Sequence, residues 1–155
     1  MTHQEHLIRK TIEYLDSQNW HYKLNEKRSN VIEMSMGVKS KLKSIRMLIV
    51  VEEAGIQSFG ICPMNASADV YAQVVEFITR ANYNLKVGKF EFDYSDGEIR
   101  YQAYLPCKDT DPGLKDIERV VDIPILMMQM YGDGLVKSLM GFGDPENDIK
   151  AIENK

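Results

Sequence analysis

The 155-residue sequence predicts an α+β domain, with helices packed on one face of an antiparallel sheet in the order α-ββββ-α-ββ-α. Three observations predict it. Apolar residues recur at helical spacing in three stretches, 3–18, 70–85 and 114–142. Between the first two lie short runs that alternate apolar and polar residues, divided by polar or glycine-containing turns. After the second, aromatic and charged residues alternate on both sides of Asp96-Gly97, a hairpin pattern.

In the first helix Leu7, Ile8, Ile12 and Leu15 share one face. Trp20, Tyr22 and Leu24 then alternate with His21 and Lys23, predicting a half-buried strand. After the polar turn 25–30, Ile32, Met34, Met36 and Val38 predict a second strand. Residues Ile45 to Val51 are almost continuously apolar, as in a strand covered on both faces near the middle of a sheet. Ala54-Gly55 turns into a fourth strand, Ile56 to Cys62, completing a meander. Ser67 is placed to cap the second helix, with Asp69 at its positive end and Gly88 as its stop.

If Asp96 and Gly97 are the central pair of a type I′ turn, Tyr94 opposes Ile99, Phe92 opposes Tyr101 and Phe90 opposes Ala103 on one face. Asp93 then opposes Arg100 on the other face, with Glu91 opposite Gln102. The last helical region keeps apolar phase from Leu114 to about Phe142, with a kink expected at Pro124 and a weakening or break at Gly132-Asp133-Gly134. The reading is one domain, 1–143, followed by a polar, frayed tail, 144–155.

Composition narrows the function classes. No apolar run approaches the roughly 20 residues that span a bilayer, so no membrane partner is expected. The N-terminal residues show no signal-peptide pattern, and a cytoplasmic location is expected, with Cys62 and Cys107 reduced. A net charge of −4 argues against nucleic acid, although residues 1–50 carry 9 Lys and Arg against 5 Asp and Glu. Lys39, Lys41, Lys43 and Arg46 surround one loop, read as a solvated turn with a phosphate-binding patch as the lesser alternative.

Chemistry is sparse. His3 and His6 have helical spacing but no nearby cysteine, Asp109 and Asp111 open like a calcium loop but lack its later ligands, and no phosphate-cradling loop is present. Glu91 and Asp93 share a strand face and could mimic an acid–base pair; the plainer reading pairs Asp93 with Arg100 and leaves Glu91 solvated. No catalytic residue, cofactor or metal is therefore expected. The methionines of the last helix either fill the core or dock a partner. Met127, Met128, Met130, Leu135 and Met140, with Tyr104 on the sheet, are the candidate partner-binding residues.

The stretch 60–106 also resembles a known family, the YbjN-like domain of bacteria, labelled a sensory transduction regulator. The resemblance rests on Cys62-Pro63, on Asn82 and Asn84 ending a helix, and on Gly88-Lys-Phe-Glu-Phe-Asp93, Asp96-Gly97 and Ile99-Arg-Tyr101. It implies a fold similar to type III secretion chaperones, often dimeric. It also implies a non-catalytic, protein-binding or regulatory module with no catalytic residues to carry over. The expected function is a chaperone-like or adaptor homodimer that binds an unidentified protein. The alternative is a small-ligand sensor or enzyme with a pocket between sheet and helices, lined by Tyr101, Tyr104 and methionines.

Overall fold

Thr2 starts the first helix, α1 (His3–Ser17): its hydroxyl accepts from the Glu5 N–H at 3.0 Å while the Glu5 carboxylate accepts from the Thr2 N–H. The computed structural model describes residues 1–154. The rest of the chain follows the predicted order, with one more helix at its end. The strands are β1 (Lys23–Leu24), β2 (Val31–Gly37), β3 (Ser44–Glu52) and β4 (Gly55–Ile61), then β5 (Lys89–Phe92) and β6 (Ile99–Pro106). The helices are α2 (Tyr71–Asn82), α3 (Leu114–Leu139) and α4 (Pro145–Glu153). The six strands form one antiparallel sheet in the order β1-β2-β3-β4-β6-β5. No helix among the described residues is long and apolar enough to cross a membrane.

The helices cover one face. Ile32, Met47, Ile49, Ile56, Ile99, Tyr101 and Ala103 point into that layer and are fully buried. The other face, which we call outer, is not covered by a helix. That corrects the reading of β3 as covered on both sides: Ile45, Met47, Ile49 and Val51 are buried, but Leu48 and Val50 are half-buried and Arg46 is exposed. A central position in the sheet explains the run of large apolar residues; a second helical layer does not.

Trp20 and Tyr22 do not join a strand. Trp20 stands edge-on to Tyr14 at 5.9 Å and the Tyr22 hydroxyl donates to Asp16 at 2.8 Å, so both rings are drawn to the end of α1 and pairing is left to Lys23 and Leu24. Ser67 does not cap α2 by its side chain; its hydroxyl donates to Asp69, and a 3-10 turn, Ala68–Val70, leads into the helix. Gly88 is not the stop of α2, which ends at Asn82. It lies at φ +75°, where a Cβ would stand 2.2 Å from the Gln102 carbonyl oxygen, and it admits the chain to β5.

The paired strands keep their predicted faces but not their register, and Tyr94, expected opposite Ile99, lies in the loop and is exposed. Phe90 opposes Tyr101, Glu91 opposes Arg100 and Phe92 opposes Ile99, each displaced two residues from the type I′ expectation. The connection is the longer loop 94–97, in which the Asp93 carboxylate accepts from the Ser95 N–H and hydroxyl and the Asp93 N–H donates to the Glu98 carbonyl. A two-residue shift leaves every side chain on its own face, because the strand period is two.

Helix α3 runs unbroken through Pro124 and both glycines. Pro124 is buried over Gly60, where a Cβ would approach it to 3.0 Å. A Cβ on Gly132 would stand 2.3 Å from Ser40 Oγ, and one on Gly134 2.7 Å from Phe77 Cε2, so either would force its neighbour to shift. Close packing, rather than helix propensity, holds this segment. The polar segment read as a frayed tail is α4, capped by Asp144, with Ile149 buried and Glu153 accepting from the Tyr131 hydroxyl at 2.9 Å.

Candidate functional site

The six candidate residues do not form one surface. Met128 and Leu135 lie on the side of α3 that faces the sheet and are fully buried, so they are core. Met127 is half-buried against that core. Met130 is 48% exposed, Met140 is 60% exposed at the C-cap of α3, and Tyr104 is 49% exposed on the outer face of the sheet. The structure instead groups Met130 and Met127 with Ile123 and Leu126, at helical spacing along the outward side of α3. Ile123 and Leu126 were not singled out from the sequence. Their signal was there: a helix that stays apolar outside its core stripe has a second apolar face.

Open clefts lie along the outer face and its rims. One of about 430 Å³ is lined by His21, Tyr22, Lys23, Glu33, Ser35 and Arg46. A neighbour of about 400 Å³ shares Ser35 and Arg46 and reaches Cys62, Asn65 and Glu98. A third, about 320 Å³, lies at the hairpin between Glu91, Asp93, Tyr94, Glu98 and Arg100. A smaller one of about 250 Å³ runs beside α3 among Lys115, Glu118, Arg119, Asp122 and Leu126. None of these lies between sheet and helices, where the ligand-sensor alternative requires its pocket. Tyr101, expected to line that pocket, is fully buried; its hydroxyl donates to the Val87 carbonyl and burial pushes it up to about 12.

The hairpin carboxylates are not arranged for acid–base work. Glu91, not Asp93, pairs with Arg100, at 2.8 Å, and the guanidinium also lies 4.4 Å from the Phe59 ring centre. Asp93 is exposed and held below the usual carboxylate range by its bonds from Ser95. A general acid would need the opposite shift. Burial pushes both free thiols, Cys62 and Cys107, up and away from nucleophilic character.

His3 Nε2 lies 2.7 Å from the Cys107 carbonyl oxygen, and His6 and Lys10 both meet Asp111 at 2.9 Å, tying α1 to the segment before α3. His3 and His6 are thus spent on separate contacts rather than converging. Among the described residues no group of three or more His, Cys, Asp or Glu is placed to hold a metal ion.

Residues 12–136 match the model of the YbjN family, whose description is "Putative bacterial sensory transduction regulator". No curated protein sequence matches the chain. The fold is similar to the crystal structure of YbjN from E. coli, described there as "a putative transcription regulator", with a TM-score of 0.54 and 8% identity over 78% of this chain and 90% of that one. At that identity the likeness is one of fold.

Proposed function

The chain belongs to the YbjN family, and from that premise we propose a non-catalytic regulatory module that acts in the cytoplasm by binding protein, as a homodimer. The observation that carries the reading is the second apolar face of α3, where Leu126 is 50% and Met130 48% exposed beside half-buried Ile123 and Met127. Lys115, Glu118, Arg119 and Asp122 border it with both signs of charge, a polar rim beside an apolar centre. In its finer form the module is an adaptor or chaperone-like dimer, holding a segment of another protein while the α3 faces hold each other.

Light scattering coupled to size exclusion tests the dimer. Two 17.8 kDa chains are expected in the native particle, and Leu126→Glu with Met130→Glu is expected to yield one, with unchanged far-ultraviolet dichroism. A native chain that stays single at high micromolar concentration refutes the dimer.

A further inference from the structure

The two edges of the sheet are treated differently. At the β5 edge the Asn82 side chain accepts from the Phe90 N–H at 2.7 Å and donates to the Phe90 carbonyl at 2.9 Å. One amide thus occupies the positions a further strand would need. The opposite edge has no such cap. Val51 donates to Asn30 and Val38 to Lys43, so the even-numbered residues of β2 bond to β3 and the odd-numbered ones face away from it. β1 covers part of that side, with Lys23 opposite Glu33 and the Asn25 N–H donating to Val31. Residues 20–22 then leave for α1. Ser35 and Gly37 are exposed, and among the described residues their outward N–H and C=O groups meet no main-chain or side-chain partner.

The surroundings of this gap are basic. The cleft of about 430 Å³ beside Ser35 takes in His21, Lys23 and Arg46 against a single acid, Glu33. Lys39, Lys41 and Lys43 follow in the next loop. None of these five Lys and Arg side chains forms an ion pair among the described residues. The loop backbone is held in place: the Lys39 N–H donates to Gln129 at 3.1 Å and the Lys41 N–H to Asp133 at 2.7 Å, while all three lysines stay exposed. A chain of net charge −4 therefore keeps a set of unpaired cations around an open strand edge.

We propose that the free β2 edge at Ser35 and Gly37 takes an extended, acidic peptide segment of a partner protein as an added strand. Main-chain hydrogen bonds to Ser35 and Gly37 supply sequence-independent affinity. The peptide residue opposite Ser35 places its side chain on the outer face, over the cleft, where a carboxylate meets Arg46 and Lys23. The inference rests on the protein-binding reading above, but not on the dimer.

The test uses the full chain and a synthetic peptide in which valine, threonine and glutamate alternate, beside a counterpart with lysine for glutamate. Amide exchange followed by nuclear magnetic resonance is expected to show Ser35 and Gly37 newly protected by the glutamate peptide. The lysine peptide should bind at least about tenfold more weakly, as should the glutamate peptide to Arg46→Glu. Ser35→Pro removes an edge donor without touching the β2–β3 ladder and should weaken binding about tenfold with little change in melting temperature.

Absence of protection at Ser35 and Gly37 under saturating peptide overturns the proposal, as does equal binding of both peptides. So does protection of these amides by self-association without peptide, which makes a second copy the occupant. A single-stranded oligothymidylate that binds more tightly than the peptide and ignores Ser35→Pro makes the patch a polyanion site and overturns it too. A monomer that still takes the peptide refutes only the dimer; a dimer that leaves the two amides unprotected refutes only this inference.

Discussion

Replacing Gly134 by alanine sets two effects of known size against each other. In an exposed helix interior the change gains about 1 kcal/mol, because alanine orders less backbone freedom on folding. Here a Cβ at position 134 would stand 2.7 Å from Phe77 Cε2, 3.0 Å from Cζ and 3.1 Å from Ile152 Cδ1. Phe77 cannot easily yield, being fully buried and edge-on to Tyr131 at 6.4 Å. Overfilling a packed site of this kind costs about 1–3 kcal/mol, so the clash outweighs the propensity gain and leaves a net loss of about 1 kcal/mol. Urea unfolding followed by circular dichroism measures it, with the slope checked for constancy. Shortening the opposing ring by Phe77→Leu makes room, so Gly134→Ala in that background should cost less or become stabilising. If Gly134→Ala stabilises the native chain, or its effect is the same beside Phe77 and Leu, the claim that close packing carries α3 through its glycines is wrong.

The Asp122 carboxyl, 2.6 Å from the Tyr14 hydroxyl, is held above the usual carboxylate range, chiefly by burial and further by Glu118, while the bond from Tyr14 pulls it down. The folded chain thus keeps this proton more tightly than the unfolded one, and stability falls as pH rises from the ordinary value of 3.8 through the raised folded value. Asp122→Asn keeps an acceptor for Tyr14 and should remove that part of the decline in melting temperature with pH. Asn82→Ala strips both bonds from Phe90 and should cost about 2 kcal/mol in urea midpoint terms, with faster amide exchange at Phe90. Ile149→Ala should cost about 2 kcal/mol on the same assay, since this side chain is buried; a frayed tail would give no change.

What the sequence determined by itself was every pattern that repeats along the chain. Period two in residues 88–106 assigned Phe90, Tyr101 and Ala103 to the covered face, and the spacing of Val74, Phe77, Ile78 and Ala81 assigned the buried side of α2. The element order and family motif were legible for the same reason: local alternation survives whatever the rest of the molecule does. Register did not survive, because it depends on how many residues the turn consumes. Asp93 lengthened that loop by satisfying Ser95, which passed Arg100 from Asp93 to Glu91.

Tertiary structure decided the features that need a distant neighbour. Tyr14 and Asp16 at the end of α1 drew Trp20 and Tyr22 out of the first strand. Phe77, Ser40 and Gly60 carried α3 through two glycines and a proline. Docking against α2 and α3 made a helix of 145–153, where the sequence shows only Ile149 and Ile152 as apolar anchors. The methionines divided for the same reason: a side chain at helical spacing is core or surface according to what lies opposite it. Met128 met the sheet and Met130 met solvent, one helix with two apolar faces of which the fold covers one.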